Sequence, residues 1–424
     1  MFKFTASSLL FILTALLVIP MKISVPNVTV SYLIAVMLVG LSLLNITIRM
    51  RVNTRVFGLL WPILVVILIA PLFSFGNPDF YVINLIFRGL LFIIAGYALS
   101  MLYFYLYGQR FEMKLLSNIF YIGVVNSSIA VLALISRDFS LALYRFIEIS
   151  DNAKIHLEQG YRATGLFYSG VSTLSLFNAV IFFIGILIFF GKSHQDNPQE
   201  VFYKSSNRTI LALITLTIVF ISTCVAGRLG LMLILLTVIS VVFFPGHIIY
   251  KKRLLRYFIL SGLFVSLFLF FYYERIEYIL RWAFELVFNW LSSNEFSSKS
   301  SDLLFDTMYF LPEREIDIFF GTGTFGRGDG AKYIDSDVGY VLMIFYGGVT
   351  SIAVLMFVYA KILYDAFSSG KSLVKIVVIY TLLVIFLANF KDVYLYGLNG
   401  INQLLFILSG ALVIQYKNKK RYIN

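Results

Sequence analysis

A glycine-rich stretch late in the chain has the spacing of a nucleotide-binding turn. Residues 321–330 read GTGTFGRGDG, and the first six match the G-x-G-x-x-G pattern that holds a dinucleotide phosphate between a strand and a helix. The residues that follow, RGDGAKYIDSD, have no helical period, so we predict that the loop binds no nucleotide. Gly321, Gly323 and Gly326 instead permit the positive φ angles of a tight turn, or allow a bulky ligand to approach the bare backbone.

Two carboxylates follow this loop in the segment YIDSDVGY. Asp335 and Asp337 precede an apolar run, and a carboxylate at such a place could accept the proton of an attacking hydroxyl group. We predict that the glycine turn delivers both aspartates to the mouth of a cavity. A D-x-D pair alone is weak evidence for a metal, and the three histidines form no cluster in the sequence, so no metal site is predicted.

Three arginines have the chemistry of anion-binding residues. Arg88 lies inside the apolar run INLIFRGLLFIIAGY, Arg162 lies in GYRATGLF, and Arg228 lies in STCVAGRLG. The planar guanidinium fork matches two phosphate oxygens, and an arginine near the centre of a membrane helix costs about 2.5–3.5 kcal/mol. We therefore expect all three to bind an anion such as a lipid diphosphate. The alternatives are that Arg88 extends to the membrane surface, that Arg228 anchors to lipid headgroups and that Arg162 is a solvated charge at the end of a span.

The composition places these residues in a membrane protein. Of 424 residues, 60% are hydrophobic and 13% are charged, whereas a soluble domain has about 25% charged residues. Apolar runs that can cross about 30 Å of hydrocarbon recur along the chain, and each must be a helix because a lone strand leaves its backbone groups unpaired in lipid. The predicted fold is an all-α polytopic membrane protein, a single transmembrane domain over residues 1–424, with about twelve spans: 4–21, 28–47, 57–75, 81–105, 115–136, 164–190, 209–226, 229–246, 257–273, 338–360, 374–390 and 398–415.

The distribution of Lys and Arg orients these spans. Loops on the side of both termini carry 20 basic and 4 acidic residues and the opposite side carries 14 and 18, so the net charge of +12 divides into +16 and −4. The basic side is predicted to be cytoplasmic. Two outer loops, 137–163 and 274–337, are long, and such loops are usually functional or disordered. The second begins with ERIEYILRWAFELVFNW (274–290), whose apolar and charged faces predict an interfacial helix.

In layout and in four short stretches, the chain resembles the O-antigen and capsule repeat-unit polymerases of the Wzy type, which are related to the O-antigen ligases. YRATGLF is similar to the family's R-x-x-G-x-F entry to a span, and STCVAGRLG is similar to its S-T-x-S-R-x-G turn with altered spacing. FFGTGTFG is similar to its G-x-G element, and DSDVGYVLMIFYGGV to its re-entry stretch. The ligases place a histidine in that stretch, whereas this chain has Asp335 and Asp337, which favours a polymerase and leaves the identity of the catalytic base open.

The resemblance implies glycosyl transfer at the outer face of the bacterial cytoplasmic (inner) membrane. The donor would be a growing glycan on undecaprenyl diphosphate and the acceptor a lipid-linked repeat unit, whose hydroxyl attacks the anomeric carbon while lipid diphosphate leaves. Arg88, Arg162 and Arg228 would bind the diphosphate, and Asp335 and Asp337 would be catalytic. No cofactor, nucleotide or nucleic acid is implied, whereas membrane lipids and a chain-length regulator protein are implied as partners.

The sequence leaves three other functions open. A ligase shares much of the family pattern, and a flippase would move the same lipid-linked repeats across the membrane. A major-facilitator transporter would also have twelve spans. The segment TIRMRVNTRVFG, however, lacks that family's Asp and glycine pattern between the second and third spans.

Overall fold

The structure is a computed structural model, and its described residues are 80% helical. The predicted span 57–75 and the end of the glycine-rich stretch, 327–330, lie outside the described residues. The described ranges are 2–25, 28–49, 80–160, 162–168, 170–191, 205–243, 250–294, 298–326, 334–369, 372–395, 397 and 399–423.

Most of the described residues are in helices, and three two-residue strands are also present. A 3-10 turn, Gly108–Arg110, lies between the third and fourth helices. The strands β1 (Lys22–Ile23), β2 (Val28–Thr29) and β3 (Ile147–Glu148) form an antiparallel sheet in the order β2-β1-β3. The helices are α1 (Phe2–Val18), α2 (Val30–Arg49), α3 (Phe80–Tyr107), α4 (Phe111–Ile135), α5 (Arg137–Leu143), α6 (Asp151–Glu158), α7 (Val171–Phe190), α8 (Ser205–Ala226), α9 (Arg228–Phe243), α10 (Lys251–Ala283), α11 (Glu285–Ser293), α12 (Lys299–Thr307), α13 (Glu315–Phe320), α14 (Gly339–Ser368), α15 (Leu373–Ala388) and α16 (Ile401–Ile423).

A helix occupies every predicted span that lies within the described residues. Four helical segments there are long and apolar enough to cross a membrane: Ile83–Ile135, Val171–Phe190, Thr209–Ala226 and Gly339–Ser368. Several shorter helices are also apolar, among them α15 and the first part of α16. These helices agree with an all-α membrane protein, whereas the number of crossings and their orientation stay predictions.

The chain divides into two compact units. One contains Met1–Val18, Val30–Glu112 and Ser297–Asn424, and therefore the helices α1–α3 and α12–α16. The other contains Ile19–Thr29 and Met113–Phe296, and therefore the three strands and nearly all of α4 through α11. Each unit interleaves segments from distant parts of the sequence, so its core depends on contacts that no local pattern encodes.

Helix α7 forms the core of the second unit. Its sequence is apolar all round, as expected of a helix surrounded by others, and nearly all its residues are buried. Helix α9 approaches it so closely that a Cβ atom on Gly230 would collide with the backbone of Ser175. Asn178 of α7 accepts a hydrogen bond from Ser127 at 3.1 Å and donates one to Ser222 at 2.9 Å, which links α4, α7 and α8.

Glycines bring α3 and α16 together in the first unit. A Cβ atom on Gly96 would lie 2.7 Å from the backbone nitrogen of Ile407, and one on Gly410 would lie 2.8 Å from Cα of Tyr97. Ser100 donates a hydrogen bond to the Ile407 carbonyl across the same contact at 2.7 Å. Small residues that allow backbones to approach are typical of helix packing in lipid, where dispersion replaces the hydrophobic effect between helices.

Two helix boundaries differ from those that the apolar runs predict. Helix α7 begins at Val171 rather than near residue 164, because Gly165 and Gly170 have φ angles of +59° and +106°. Helix α10 continues through the predicted ninth span as far as Ala283, so the segment 274–290 is not one separate interfacial helix. The break lies at Phe284, which has φ −109° and ψ 26°.

Candidate functional site

Two of the arginines predicted to bind an anion lie against the same aromatic ring. The guanidinium carbon of Arg162 is 4.4 Å from the ring centroid of Trp282, and that of Arg228 is 5.0 Å from it. The negative face of an indole attracts cations at such distances. The structure therefore joins Arg162, which follows α6, with Arg228, which begins α9, through a residue at the end of α10.

Arg228 is held by contacts along its whole length. Its backbone begins α9 beside the close approach of Gly230 to α7. Its Nε donates to the carbonyl oxygen of Trp282 at 2.8 Å, and its Nη2 pairs with the carboxylate of Glu285. The side chain of Arg228 is only 14% exposed and that of Glu285 only 23% exposed, so solvent screens this ion pair incompletely. The guanidinium group is thus fixed in place with an anion already bound to it.

Arg162 is positioned by the irregular segment 162–168 that precedes α7. The side-chain oxygen of Asn126 accepts a hydrogen bond from the backbone N–H of Leu166 at 2.9 Å. Gly165 packs against the same oxygen, from which a Cβ atom would lie only 2.8 Å away. Tyr144 donates to the Gly165 carbonyl at 3.2 Å. Asn126, which is fully buried, therefore provides an acceptor for a backbone N–H of this non-helical segment and holds the segment beside α4.

His156 contacts Arg162 from helix α6. Nη1 of Arg162 donates to Nε2 of His156 at 3.3 Å, a geometry that suits a neutral imidazole with its proton on Nδ1. Burial lowers the pKa of His156, and the positive charge of Arg162 lowers it further, while a hydrogen bond with Gln159 opposes both effects. Burial and the neighbouring guanidinium group therefore both favour the neutral form of the imidazole.

The small sheet supplies another cation in the same compact unit. Lys22 of β1 pairs with Glu148 of β3, with 2.9 Å between Nζ and Oε1, and its Nζ lies 4.6 Å from the ring centroid of Tyr168. The hydrogen bond to Glu148 raises the pKa of Lys22. Tyr168 belongs to the segment that carries Arg162, so the sheet braces that segment from its other end.

The third predicted arginine, Arg88, belongs to the other compact unit. Its Nε donates to the side-chain oxygen of Asn84 one turn earlier in α3 at 3.0 Å. Its guanidinium carbon is 4.8 Å from the ring centroid of Tyr32 on α2. Arg88 thus repeats the pairing of a cation with an aromatic ring.

Asp335 and Asp337 also belong to that unit, and both are exposed. Ser336 between them is buried; it donates to the Met308 carbonyl at 2.8 Å and accepts from the Val338 N–H at 3.1 Å. This alternation turns the serine inward and leaves both aspartates exposed at the start of α14. The two carboxylates are therefore presented by an anchored backbone.

The glycine-rich loop docks onto a break in α14. Inside that helix Gly347 and Gly348 have non-helical angles, with φ +64° at Gly348. The N–H of Thr322 donates to the Phe345 carbonyl at 2.6 Å and that of Gly323 to the Tyr346 carbonyl at 2.9 Å. The loop therefore donates hydrogen bonds to carbonyl groups near the break. Lipid could not provide such donors.

Glycine is required on both sides of this contact. Gly321, Gly323 and Gly326 have φ angles of +75°, +75° and +76°. A Cβ atom on Gly321 would collide with the Tyr346 carbonyl, and one on Gly348 would collide with the backbone of Phe319. A helix, α13, precedes the loop where a dinucleotide fingerprint would need a strand.

An apolar cavity of about 360 Å³ is lined by residues that include Tyr340 and Val341, which follow the aspartates in the sequence. Tyr309 and Tyr340 contribute rings to it, but their hydroxyl groups donate to backbone carbonyls of Phe390 and Phe386 at 2.6 and 3.2 Å. Its remaining lining residues are apolar: Phe310, Leu311, Val341, Ile344 and Phe390. The cavity offers ring faces and aliphatic groups rather than hydrogen-bonding atoms.

Sequence reasoning missed Trp282, Glu285, His156 and Asn126. Trp282 lies in the segment predicted to be an interfacial helix, but nothing local to it indicates its contact with Arg228, 54 positions away. An amphipathic pattern predicts which face of a helix is apolar and not which distant cation meets it. The only available signal was that a buried arginine requires an anion or an aromatic ring nearby.

Neither a protein-family model, nor a curated protein, nor a solved structure matches the chain. Among the described residues, no group of three or more His, Cys, Asp or Glu side chains could hold a metal ion. The second unit has a pair of arginines on one indole. The first unit has two exposed carboxylates.

Proposed function

We propose that the protein polymerises oligosaccharide repeat units carried on undecaprenyl diphosphate. The reaction would take place at the outer face of the bacterial cytoplasmic membrane, with both termini in the cytoplasm. The observation that carries the proposal is the convergence of Arg162 and Arg228 on Trp282. Such a pair suits a ligand with several phosphate oxygens, because each guanidinium group can donate two parallel hydrogen bonds.

The reaction needs cations where the leaving group departs. A hydroxyl group of the acceptor repeat unit attacks the anomeric carbon of the donor glycan, a new glycosidic bond forms, and the bond to the lipid diphosphate breaks. The diphosphate gains negative charge in that step, so fixed guanidinium groups stabilise the transition state more than the ground state. We propose Arg162 and Arg228 for this role. Arg88, which Asn84 orients in the other compact unit, stays a predicted diphosphate-binding residue.

The hydroxyl proton must also be accepted. We propose that Asp335 or Asp337 takes it, since both carboxylates are exposed and stand on an anchored backbone. The glycine loop would set their position through its contact with the break in α14. The donor and acceptor lipids, the surrounding membrane lipids and a chain-length regulator protein would be the partners.

The test is turnover by the purified full-length protein in nanodiscs with a synthetic undecaprenyl diphosphate repeat unit. We expect a ladder of longer glycans that stay attached to the lipid, and no ladder with the Arg162→Ala, Arg228→Ala double variant. Absence of any extension by the wild type would refute the proposal. A deletion strain separates the proposed polymerase from a flippase, because loss of a polymerase leaves single repeats attached to the final acceptor, whereas loss of a flippase leaves none.

A further inference from the structure

Glu285 occupies the position that an anionic ligand of Arg228 would need. Arg228 has its Nε on the Trp282 carbonyl and its Nη2 on the Glu285 carboxylate. A carboxylate and a phosphate present similar pairs of oxygens to a guanidinium fork. We infer that Glu285 acts as an exchangeable stand-in for phosphate, and that a phosphate group binds Arg228 by displacing it; this inference rests on the proposed function.

The two partners differ in how firmly they are held. The backbone of Arg228 lies at the close contact between α9 and α7, and its guanidinium group is fixed by the carbonyl and the ring of Trp282. Glu285 begins the short helix α11, which the non-helical residue Phe284 separates from α10. The carboxylate is therefore the partner that can leave.

Helix α11 is loosely attached to the rest of its unit. Its apolar side chains Val287, Trp290 and Leu291 are 46%, 52% and 69% exposed. Small movements of such a helix break few of the contacts of these three side chains, because about half or more of their surface is already exposed. A rotation at Phe284 could therefore withdraw Glu285 while Trp282, on the other side of the break, stays beside Arg228.

The exchange gives the site a selectivity that arginines alone lack. Removing Glu285 without replacement would leave a poorly solvated guanidinium group, so a neutral sugar cannot open the site. An anion that restores the lost charge interaction can open it. Phosphate oxygens can therefore displace the Glu285 carboxylate from Arg228, whereas neutral parts of the substrate cannot.

The experiment measures the affinity of the full-length protein in nanodiscs for inorganic pyrophosphate by titration calorimetry. We expect Glu285→Gln to bind pyrophosphate about 10-fold more tightly than the wild type, because no carboxylate has to be displaced from a charged hydrogen bond. Glu285→Ala should change the affinity in the same direction. Arg228→Ala should bind weakly, and the double variant Arg228→Ala, Glu285→Gln should gain nothing over it.

Glu277 provides the matched control. It pairs with Arg281 on the same side of Phe284 as Trp282, at 2.7 Å, but this pair is exposed and does not involve Arg228. Glu277→Gln removes the same charge, so a general electrostatic effect would tighten binding equally in both variants. We expect its affinity to stay within about twofold of the wild type, since an exposed ion pair is well screened.

Each outcome decides the inference separately from the proposed function. Equal or weaker binding by both Glu285 variants overturns the inference, as does a gain that survives Arg228→Ala. Tighter binding without any polymer in the turnover assay supports the exchange and counts against the polymerase. Repeating the titration in nanodiscs with phosphatidylglycerol, and with farnesyl diphosphate as the titrant, identifies the displacing phosphate as a headgroup, a free anion or a prenyl diphosphate.

Discussion

The guanidinium group of Arg162 lies 4.4 Å from the ring of Trp282, on an indole that also receives Arg228. Two cations that share one neighbourhood repel each other, and the electron-rich ring offsets part of that repulsion. An anionic ligand would offset more of it. Glu285 offsets one of the two positive charges through its pair with Arg228, so these three side chains keep a net positive charge, which is the sign that a diphosphate needs.

Replacing Arg228 tests the proposed contact with the leaving group. We expect Arg228→Ala to lower the rate of polymerisation about 10²–10³-fold, as removal of one transition-state donor does elsewhere. Arg228→Lys should recover only part of the rate, because an ammonium group lacks the fork. The measurement is glycan chain length on gels, with immunoblots of membranes to show that each variant is inserted. Long chains from Arg228→Ala would contradict the assignment.

Replacing Trp282 tests whether the shared ring matters. Trp282→Leu keeps an apolar side chain but removes the π face from both arginines, and we expect about a tenfold loss of activity from the lost cation–π interactions. Trp290→Leu is the control, since Trp290 on α11 is 52% exposed. The rate of glycan extension should fall only in the first variant. Equal rates in the two would remove Trp282 from the site.

Replacing glycines at the break in α14 tests the docking of the glycine-rich loop. Gly348→Ala places a Cβ atom against Phe319 at a positive φ, and Gly323→Val introduces a branched side chain at φ +75°. We expect each to lower the free energy of unfolding by about 1–3 kcal/mol and to reduce polymerisation. Gly262→Ala in α10 meets no atom within 4 Å and is the control. Thermal melting in detergent measures the difference, and unchanged melting of Gly348→Ala would refute the contact.

The lowered pKa of His156 predicts how stability depends on pH. Its imidazole releases its proton more readily in the folded protein than in the unfolded chain, so the unfolded chain binds more protons as the pH falls below about 6.5. Folded stability should therefore decrease on acidification through that range. The melting temperature of His156→Gln should decrease less than that of the wild type between pH 7 and pH 5. Parallel curves for the two proteins would show that His156 does not titrate as the contact with Arg162 requires.

Cysteine labelling tests the predicted orientation. In a Cys224→Ser background, which removes the one native cysteine, Ser300→Cys would place an exposed thiol in the second long outer loop. We expect an impermeant maleimide to label it in cells whose outer membrane has been permeabilised. Lys419→Cys in the C-terminal segment should be labelled only after the inner membrane is opened. The reverse pattern would invert the topology.

Much of the helical architecture follows from the sequence alone. An apolar run of about 20 residues has one stable backbone in lipid, because helical hydrogen bonds are local and need no other part of the chain. Helices such as α7 and α14 could therefore be located from composition. The sequence does not determine where α7 begins, because the turn at Gly165 packs against Asn126, a residue from another helix.

The sequence also identifies the candidate arginines, aspartates and glycines, because the residue type alone determines the charge of a side chain and the φ angles that a glycine permits. The sequence does not identify the residues that these candidates contact. Trp282 and Glu285 meet Arg228 across 54 and more positions of sequence, and Gly348 meets Phe319 only because α14 breaks there. Such contacts depend on which helix faces pack together, and helix packing is decided by complementary shapes distributed over the whole chain. The tertiary structure therefore decides that Arg228 already holds a carboxylate and that two distant arginines share one ring.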